Sequence, residues 1–307
     1  MARPPLLPLL SAACGIATFS IMDALMKRAS LAGGVYTALL WRCAIGAALG
    51  AVLWQISVWR GGPGPDRGRM LLHAARSAVT CGMALAFFWG LMRTPMAVGM
   101  ALSFIAPIIA LFFAALILGE AITRRALIAS ALGLLGVVVI GVGRMRDGGL
   151  ASPDSLWGIA AILGSAVLYA TNLVMQRHQA QMASPAEIAF FQSLFMGCFL
   201  VLAGAIYAPL RHALIPPASA WPDIAGAAAL ATVSLMLLSW GWARAPAHRL
   251  LPIEYSAFLW AALMGWLWFD EVVAISTLLG AVLIVAGCWY GSAGRRDEPA
   301  HMEQTAL

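Results

Sequence analysis

The stretch Gly15-Ile16-Ala17-Thr18-Phe19-Ser20-Ile21-Met22-Asp23-Ala24-Leu25-Met26-Lys27-Arg28 decides how the chain is read. It closes an apolar run from Leu6 to Met26 that is long enough to cross a bilayer, where about 20 apolar residues are needed. It also returns. Gly15, Asp23, Met26 and Arg28 match Gly164, Asn172, Met175 and Arg177 at an offset of 149. Trp41-Arg42 matches Phe191-Gln192 at an offset of 150. Leu118-Gly119-Glu120 matches Phe269-Asp270-Glu271 at an offset of 151, and Gly136 then matches Gly287. Three helix pairs in the same order at a nearly constant offset mark an internal repeat.

The rest of the chain has the same character. Its 307 residues are 62% hydrophobic and only 10% charged, against about 45–50% and 25% in soluble domains. Such a composition excludes a soluble globular protein, a disordered chain, a disulfide scaffold and a nucleic-acid binder. The five cysteines (Cys14, Cys43, Cys81, Cys198, Cys288) lie in apolar runs without a Cys-x-x-Cys pair, which fits buried small hydrophobes and no metal site. Leu10-Ser11-Ala12-Ala13-Cys14 has a lipoprotein-like look, but the run around it is long enough to span and is read as a retained first helix.

Hydropathy predicts ten spans: Leu6–Met26, Val35–Val58, Leu71–Met92, Met96–Leu118, Ala126–Val142, Leu156–Met175, Ile188–Tyr207, Ile224–Trp242, Leu250–Phe269 and Val273–Tyr290. The fold class is an all-α polytopic membrane protein of ten transmembrane helices in two inverted five-helix repeats. The expected units are residues 1–143, an outer linker 144–155, residues 156–293 and a cytoplasmic tail 294–307. With the amino terminus inside, twelve Lys and Arg fall in inner loops and six in outer ones, while Arg42 stays within span two. That bias places both termini in the cytoplasm and the chain in the cytoplasmic membrane. An odd number of spans per repeat turns the second repeat upside down, the architecture of alternating-access carriers.

Ten spans, two five-helix repeats, and Leu118-Gly119-Glu120 and Phe269-Asp270-Glu271 closing spans four and nine resemble the EamA family of the drug/metabolite transporter superfamily. Asp23 and Lys27 ending span one, Arg42 in span two and Pro252-Ile253-Glu254-Tyr255 in span nine strengthen the resemblance, which covers residues 6–293. It implies export of amino acids or other small metabolites, and members similar to the aromatic amino acid exporter are the nearest guide. Asp270 departs from the glycine the family usually has there, a change expected to affect the loop rather than the path.

Ionisable groups within a span are costly and are candidates for function by default. Asp23 and Arg42 lie at comparable depths towards the outer end. They could form a structural ion pair or a polar station for a zwitterion, and Asp23 could instead reach Lys27 at i+4. Glu254, near the inner end of span nine, has no partner at i±3 or i±4. It could bind a substrate amine, carry a proton, or pair with Arg76 or Arg249. Pro107 and Pro252 are expected to kink spans four and nine and free carbonyls to line a cavity. Trp89, Tyr169, Asn172, Gln192, Trp240 and Tyr255 could shape that cavity, packing being the alternative for each. Gly46 and Gly50 suit a close helix crossing, and Glu120 and Glu271 are expected to cap the helices that follow them.

No cofactor is implied. The partners are a small-molecule substrate and the bilayer, with a monomer as the expected state. A pump is disfavoured because the only lysine, Lys27, is followed by Arg28, so there is no Gly-Lys-Ser/Thr. A membrane-embedded enzyme would need clustered acid–base residues at one depth, yet His73, His178, His212, His248 and His301 sit at span ends or tails. Carriers of nucleotide sugars or other phosphorylated metabolites are the rival within transport, and phosphates call for several Lys/Arg donors.

Overall fold

A computed structural model describes residues 6–59, 64–106, 108–109, 113, 124–146, 153–207, 214–244, 250 and 253–292. Among the described residues there are ten α-helices and no strand. They are α1 (Leu6–Gly33), α2 (Val35–Trp59), α3 (Arg67–Leu91), α4 (Met96–Ser103), α5 (Arg124–Arg146), α6 (Pro153–Met182), α7 (Pro185–Tyr207), α8 (Trp221–Trp242), α9 (Ser256–Phe269) and α10 (Ile275–Ser292). Six helical segments are long and apolar enough to cross a membrane. Burial runs opposite to a soluble protein. Leu71, Leu134, Trp266 and Val282 are exposed, while Asp23, Lys27, His73, Arg76, Glu187 and Gln192 are buried. Lipid can cover the first set, and only protein can satisfy the second.

The helices pack across the repeats more than within them. The most extensive pairings are α1 with α8, α5 with α10, α3 with α6 and α2 with α7. If helix n of the first repeat corresponds to helix n+5 of the second, α1/α8 maps onto α6/α3, and α2/α7 and α5/α10 map onto themselves. An in-plane two-fold produces that pattern. Glycines set the closest crossings. A Cβ on Gly50 would lie 2.7 Å from the Phe190 Cα, and one on Gly46 3.0 Å from the Ser193 Oγ, so the partner of that small-residue pair is α7. Likewise Gly136 faces the Gly280 carbonyl and Ile284, while Gly280 faces the Gly136 carbonyl and Ile140.

Two helices outrun their predicted ends. α1 continues seven residues beyond Met26 to Gly33, and α6 continues seven beyond Met175 to Met182. Polar residues there find partners inside the protein: Lys27 and Arg28 pair with Glu271 and Asp223, and Gln179 bonds Arg76 and His73. α1 stops where Gly34 adopts φ 83°, a left-handed residue whose N–H donates to the Ser30 carbonyl at 2.9 Å.

Spans four and nine are both interrupted. Turns replace the helix at Phe104–Ile105 and at Tyr255, where bonds run three residues back: Phe104 N–H to Ala101, Ile105 N–H to Leu102 and Phe258 N–H to Tyr255. Phe104 and Tyr255 are repeat mates at an offset of 151, and their rings meet edge to face at 5.2 Å. Pro107 and Pro252 lie outside the described residues. The interruption at Phe104–Ile105 falls in the turn before Pro107, where a proline's missing N–H and ring crowding act, whereas that at Tyr255 falls after Pro252.

Overpacking a tight crossing typically costs about 1–3 kcal/mol. Gly50→Ala is expected to lower the melting temperature of the purified protein in detergent, because its new methyl meets backbone. Gly141→Ala, with nothing within 4 Å of its Cβ, is the control and should stay at or above wild type.

Candidate functional site

A cavity of about 180 Å³ lies between the repeats, lined from α1, α2, α3, α4, α6, α7, α8, α9 and the turn before α9. Seven of the nine polar or aromatic residues singled out from the sequence line it: Asp23, Arg42, Tyr169, Asn172, Gln192, Glu254 and Tyr255. Phe19, Met22, Met83, Phe87, Met100 and Leu238 add an apolar wall.

Trp89 and Trp240 are not among the lining residues. They are repeat mates at an offset of 151, and each ends its helix beneath an arginine. The Arg93 guanidinium lies 3.6 Å from the Trp89 ring centre and that of Arg244 4.3 Å from Trp240. Each arginine also donates to its tryptophan's carbonyl, at 2.9 and 3.3 Å. This cation–π pairing belongs at the ends of spans, not in the central cavity.

The expected pairings also change. Asp23 and Arg42 both face the cavity close enough to interact electrostatically, yet no salt bridge joins them. Arg42 donates through Nη2 to the Cys43 Sγ at 3.6 Å and the Met196 Sδ at 3.4 Å, both weak acceptors, and its buried Nε has no partner among the described residues. Asp23 does not pair with Lys27 either. The Lys27 ammonium is bound to the Glu271 carboxylate and donates to the Thr94 carbonyl at 3.0 Å.

Glu271 does cap a helix, but not the one that follows it. Its Oε2 accepts from the Met96 N–H at 2.7 Å, at the start of α4 in the other repeat. Asp270 makes this possible by taking the left-handed conformation, φ 52°, that ends α9 and turns Glu271 inward. Glycine adopts that conformation without strain, so the departure at Asp270 does fall on the loop. Gly265 clears the space, since a Cβ there would lie 2.7 Å from Glu271 Oε2. Glu120, the repeat mate of Glu271, lies outside the described residues.

Arg76 does not pair with Glu254; Arg249, the other base considered, lies outside the described residues. Instead Arg76 belongs to a buried chain that sequence reasoning missed. Its Nε donates to the Asn172 Oδ1 at 2.9 Å and its Nη1 to the Gln179 Oε1. Gln179 Nε2 donates to His73 Nδ1 at 2.6 Å, which leaves the proton on His73 Nε2 to donate to Glu187 Oε1 at 3.0 Å. Arg69 lies 3.6 Å from the other Glu187 oxygen. The chain ties α3 to α6 and α7 below the cavity. The spacing of His73 and Arg76 on one turn was the available signal, but their partners lie about 100 residues away.

Removing one partner of a buried ion pair typically costs about 3–5 kcal/mol, because the other charge is left uncompensated. Lys27→Met is therefore expected to lower thermal stability in lipid nanodiscs. Adding Glu271→Gln, which keeps an acceptor for the Met96 N–H, should recover most of that loss. A double variant no more stable than Lys27→Met would break the assignment.

Comparison with known proteins agrees with this architecture. Over 274 residues the chain is 27% identical to the pseudopaline exporter CntI of Pseudomonas aeruginosa (strain UCBPP-PA14), covering 88% of this chain and 90% of that protein. It is 29% identical over 214 residues to a probable terminal-alkyne amino-acid exporter of Streptantibioticus cattleyicolor, covering 65% of each. A crystal structure 21% identical in sequence shares the fold with a TM-score of 0.63, covering 93% of this chain and 96% of the other. The EamA-like transporter family model matches twice, over residues 6–142 and 156–292. The chain is a multi-pass membrane protein and belongs to the EamA-like transporter family.

Proposed function

We propose that the protein is a secondary exporter of amino acids, working by alternating access in the cytoplasmic membrane with both termini inside. One observation carries this reading. The cavity between the repeats presents Asp23, Arg42 and Glu254, charges of both signs, with no salt bridge between them or to any described residue. Charges held without partners in a membrane interior call for a ligand that brings the opposite ones. A zwitterion does so without a net electrostatic penalty. The two relatives named as exporters, one of them of an amino acid, support the same direction and class.

Phosphorylated metabolites fit less well. Of the three cations near the cavity, Lys27 is taken by Glu271 and Arg76 by two amides, so a phosphate would meet Arg42 beside two carboxylates. The inverted repeats supply the mechanism. Exchanging the conformations of the two repeats closes the cavity at one face and opens it at the other.

Purified protein in liposomes preloaded with unlabelled amino acids is expected to accumulate a labelled amino acid by counterflow. No exchange of any amino acid would overturn the reading. For topology, a cysteine at Gly148 in a cysteine-free background should react with an impermeant thiol reagent in intact cells, and one at Gly64 should not. Equal labelling would refute the orientation.

A further inference from the structure

The charges around the cavity do not balance once those already engaged are set aside. Lys27 is bound to Glu271. Arg76 is held by Asn172 and Gln179 and is connected through His73 to Glu187. Three charges remain. Asp23 and Glu254 make no hydrogen bond or ion pair with any described residue, and Arg42 donates to sulfur alone. Asp23, Arg42 and Glu254 face the same enclosed space without an ion-pair partner, while Arg76, which also lines it, has its donors engaged by two neutral amides. The complement of the three is one anion and two cations.

Placement sorts these groups into two stations. Asp23 and Arg42 interact with each other and stand towards the outer end of their spans. Glu254 lies further inward, beside Tyr255 at the interruption of span nine, and Tyr169 lies within electrostatic reach of both carboxylates. Gln192 belongs with the inner station. In the α2/α7 crossing Arg42 meets Met196, whereas Ser193 is opposite Gly46 and Phe190 opposite Gly50, so residue 192 lies further inward. Its Oε1 is buried without a partner, an acceptor waiting for a donor. Between the stations the wall is apolar, from Phe19, Met83, Phe87 and Met100.

We propose that the substrate class is a diamino monocarboxylic acid of the lysine or ornithine type. Its carboxylate binds Arg42, its α-ammonium binds Asp23, and its distal ammonium binds Glu254 and the Gln192 Oε1. The methylenes lie along the apolar wall. The proposal rests on the exporter reading of this cavity and names what is carried. A charge-assisted hydrogen bond left unmade typically changes affinity at least about tenfold.

The test is counterflow of labelled lysine by the full-length protein in liposomes, with three competitors that each lack one group. Norleucine lacks the distal amine, cadaverine the carboxylate and 6-aminohexanoic acid the α-amine. Each is expected to compete at least about tenfold more weakly than lysine. Glu254→Gln should erase the preference for lysine over norleucine, and Arg42→Gln the preference for lysine over cadaverine. Should a variant fail to fold, judged by its melting temperature, the wild-type competition series decides alone. Norleucine competing as well as lysine would overturn the proposal, and the cation at Glu254 would then be a proton. Counterflow of neutral amino acids without lysine would overturn it while leaving the exporter reading standing. No counterflow of any amino acid would remove both.

Discussion

Five helices cannot return a chain to the side of the membrane from which it started. A repeated unit of five must therefore appear once upright and once inverted, and an in-plane two-fold follows. Side-by-side packing of two self-contained halves would leave the polar residues of each repeat facing lipid, which neither hydrates nor hydrogen-bonds them. Interleaving solves this. α1 packs on α8 and α3 on α6, so each repeat supplies the wall that covers the polar stripe of the other. Where the axis passes between identical elements, at α2/α7 and α5/α10, the backbones must approach closely, and Gly46, Gly50, Gly136 and Gly280 allow it. The edge-to-face rings of Phe104 and Tyr255 mark the same axis between the two interrupted spans.

The symmetry holds for backbone more than for charge. Asp23 and Asn172 occupy matching positions, as do Arg42 and Gln192, Glu254 and Ser103, and Lys27 and Gln176. In every pair one member is charged and the other neutral, and seven of the eight line the cavity. A perfectly symmetric carrier would have inward-open and outward-open states of equal energy, with no reason to prefer either. Placing charge on one member of each pair separates them. At the outer end, Lys27 and Glu271 tie α1 to the start of α4 through a buried ion pair. The equivalent lysine position in the second repeat is Gln176, which has no charge to offer.

Much of this was legible in the sequence because bilayer thickness and repeat offset are strong constraints. The ten helices, the inverted repeat and the cavity-lining position of seven of the nine candidate residues follow from hydropathy and from matches at 149 to 151 residues. Helix ends were misjudged where a charge was taken as the edge of the membrane. Lys27 is 4% exposed and lies mid-helix, because its partner comes from 244 residues away. His73 was read as sitting at a span end, and Arg76 as a possible partner of Glu254, for the same reason. Hydropathy counts a charge as solvated and cannot see Gln179 or Glu187 arriving from the other repeat. Trp89 and Trp240 failed differently. Their local signal was present, an arginine four residues on in each case, and an i+4 cation–π pair at a helix end was the simpler assignment.

The three unpaired charges gain meaning from the ones that are paired. Interior charges in this protein are otherwise treated with care. Lys27 receives both a carboxylate and a carbonyl. Arg76 receives two amide oxygens, and the hydrogen-bonded chain continues through Gln179 and His73 to Glu187. Arg28, nearer the surface, is matched by Asp223 at 3.2 Å. A sequence that satisfies these buried cations so fully, yet leaves Arg42 against two sulfurs and two carboxylates facing an apolar wall, has not run out of partners. Satisfying Arg42 with a resident carboxylate would stabilise the empty protein and leave nothing for a ligand to gain on entering. On the exporter reading proposed above, stability withheld at Asp23, Arg42 and Glu254 is what a ligand of complementary charge gains on entering.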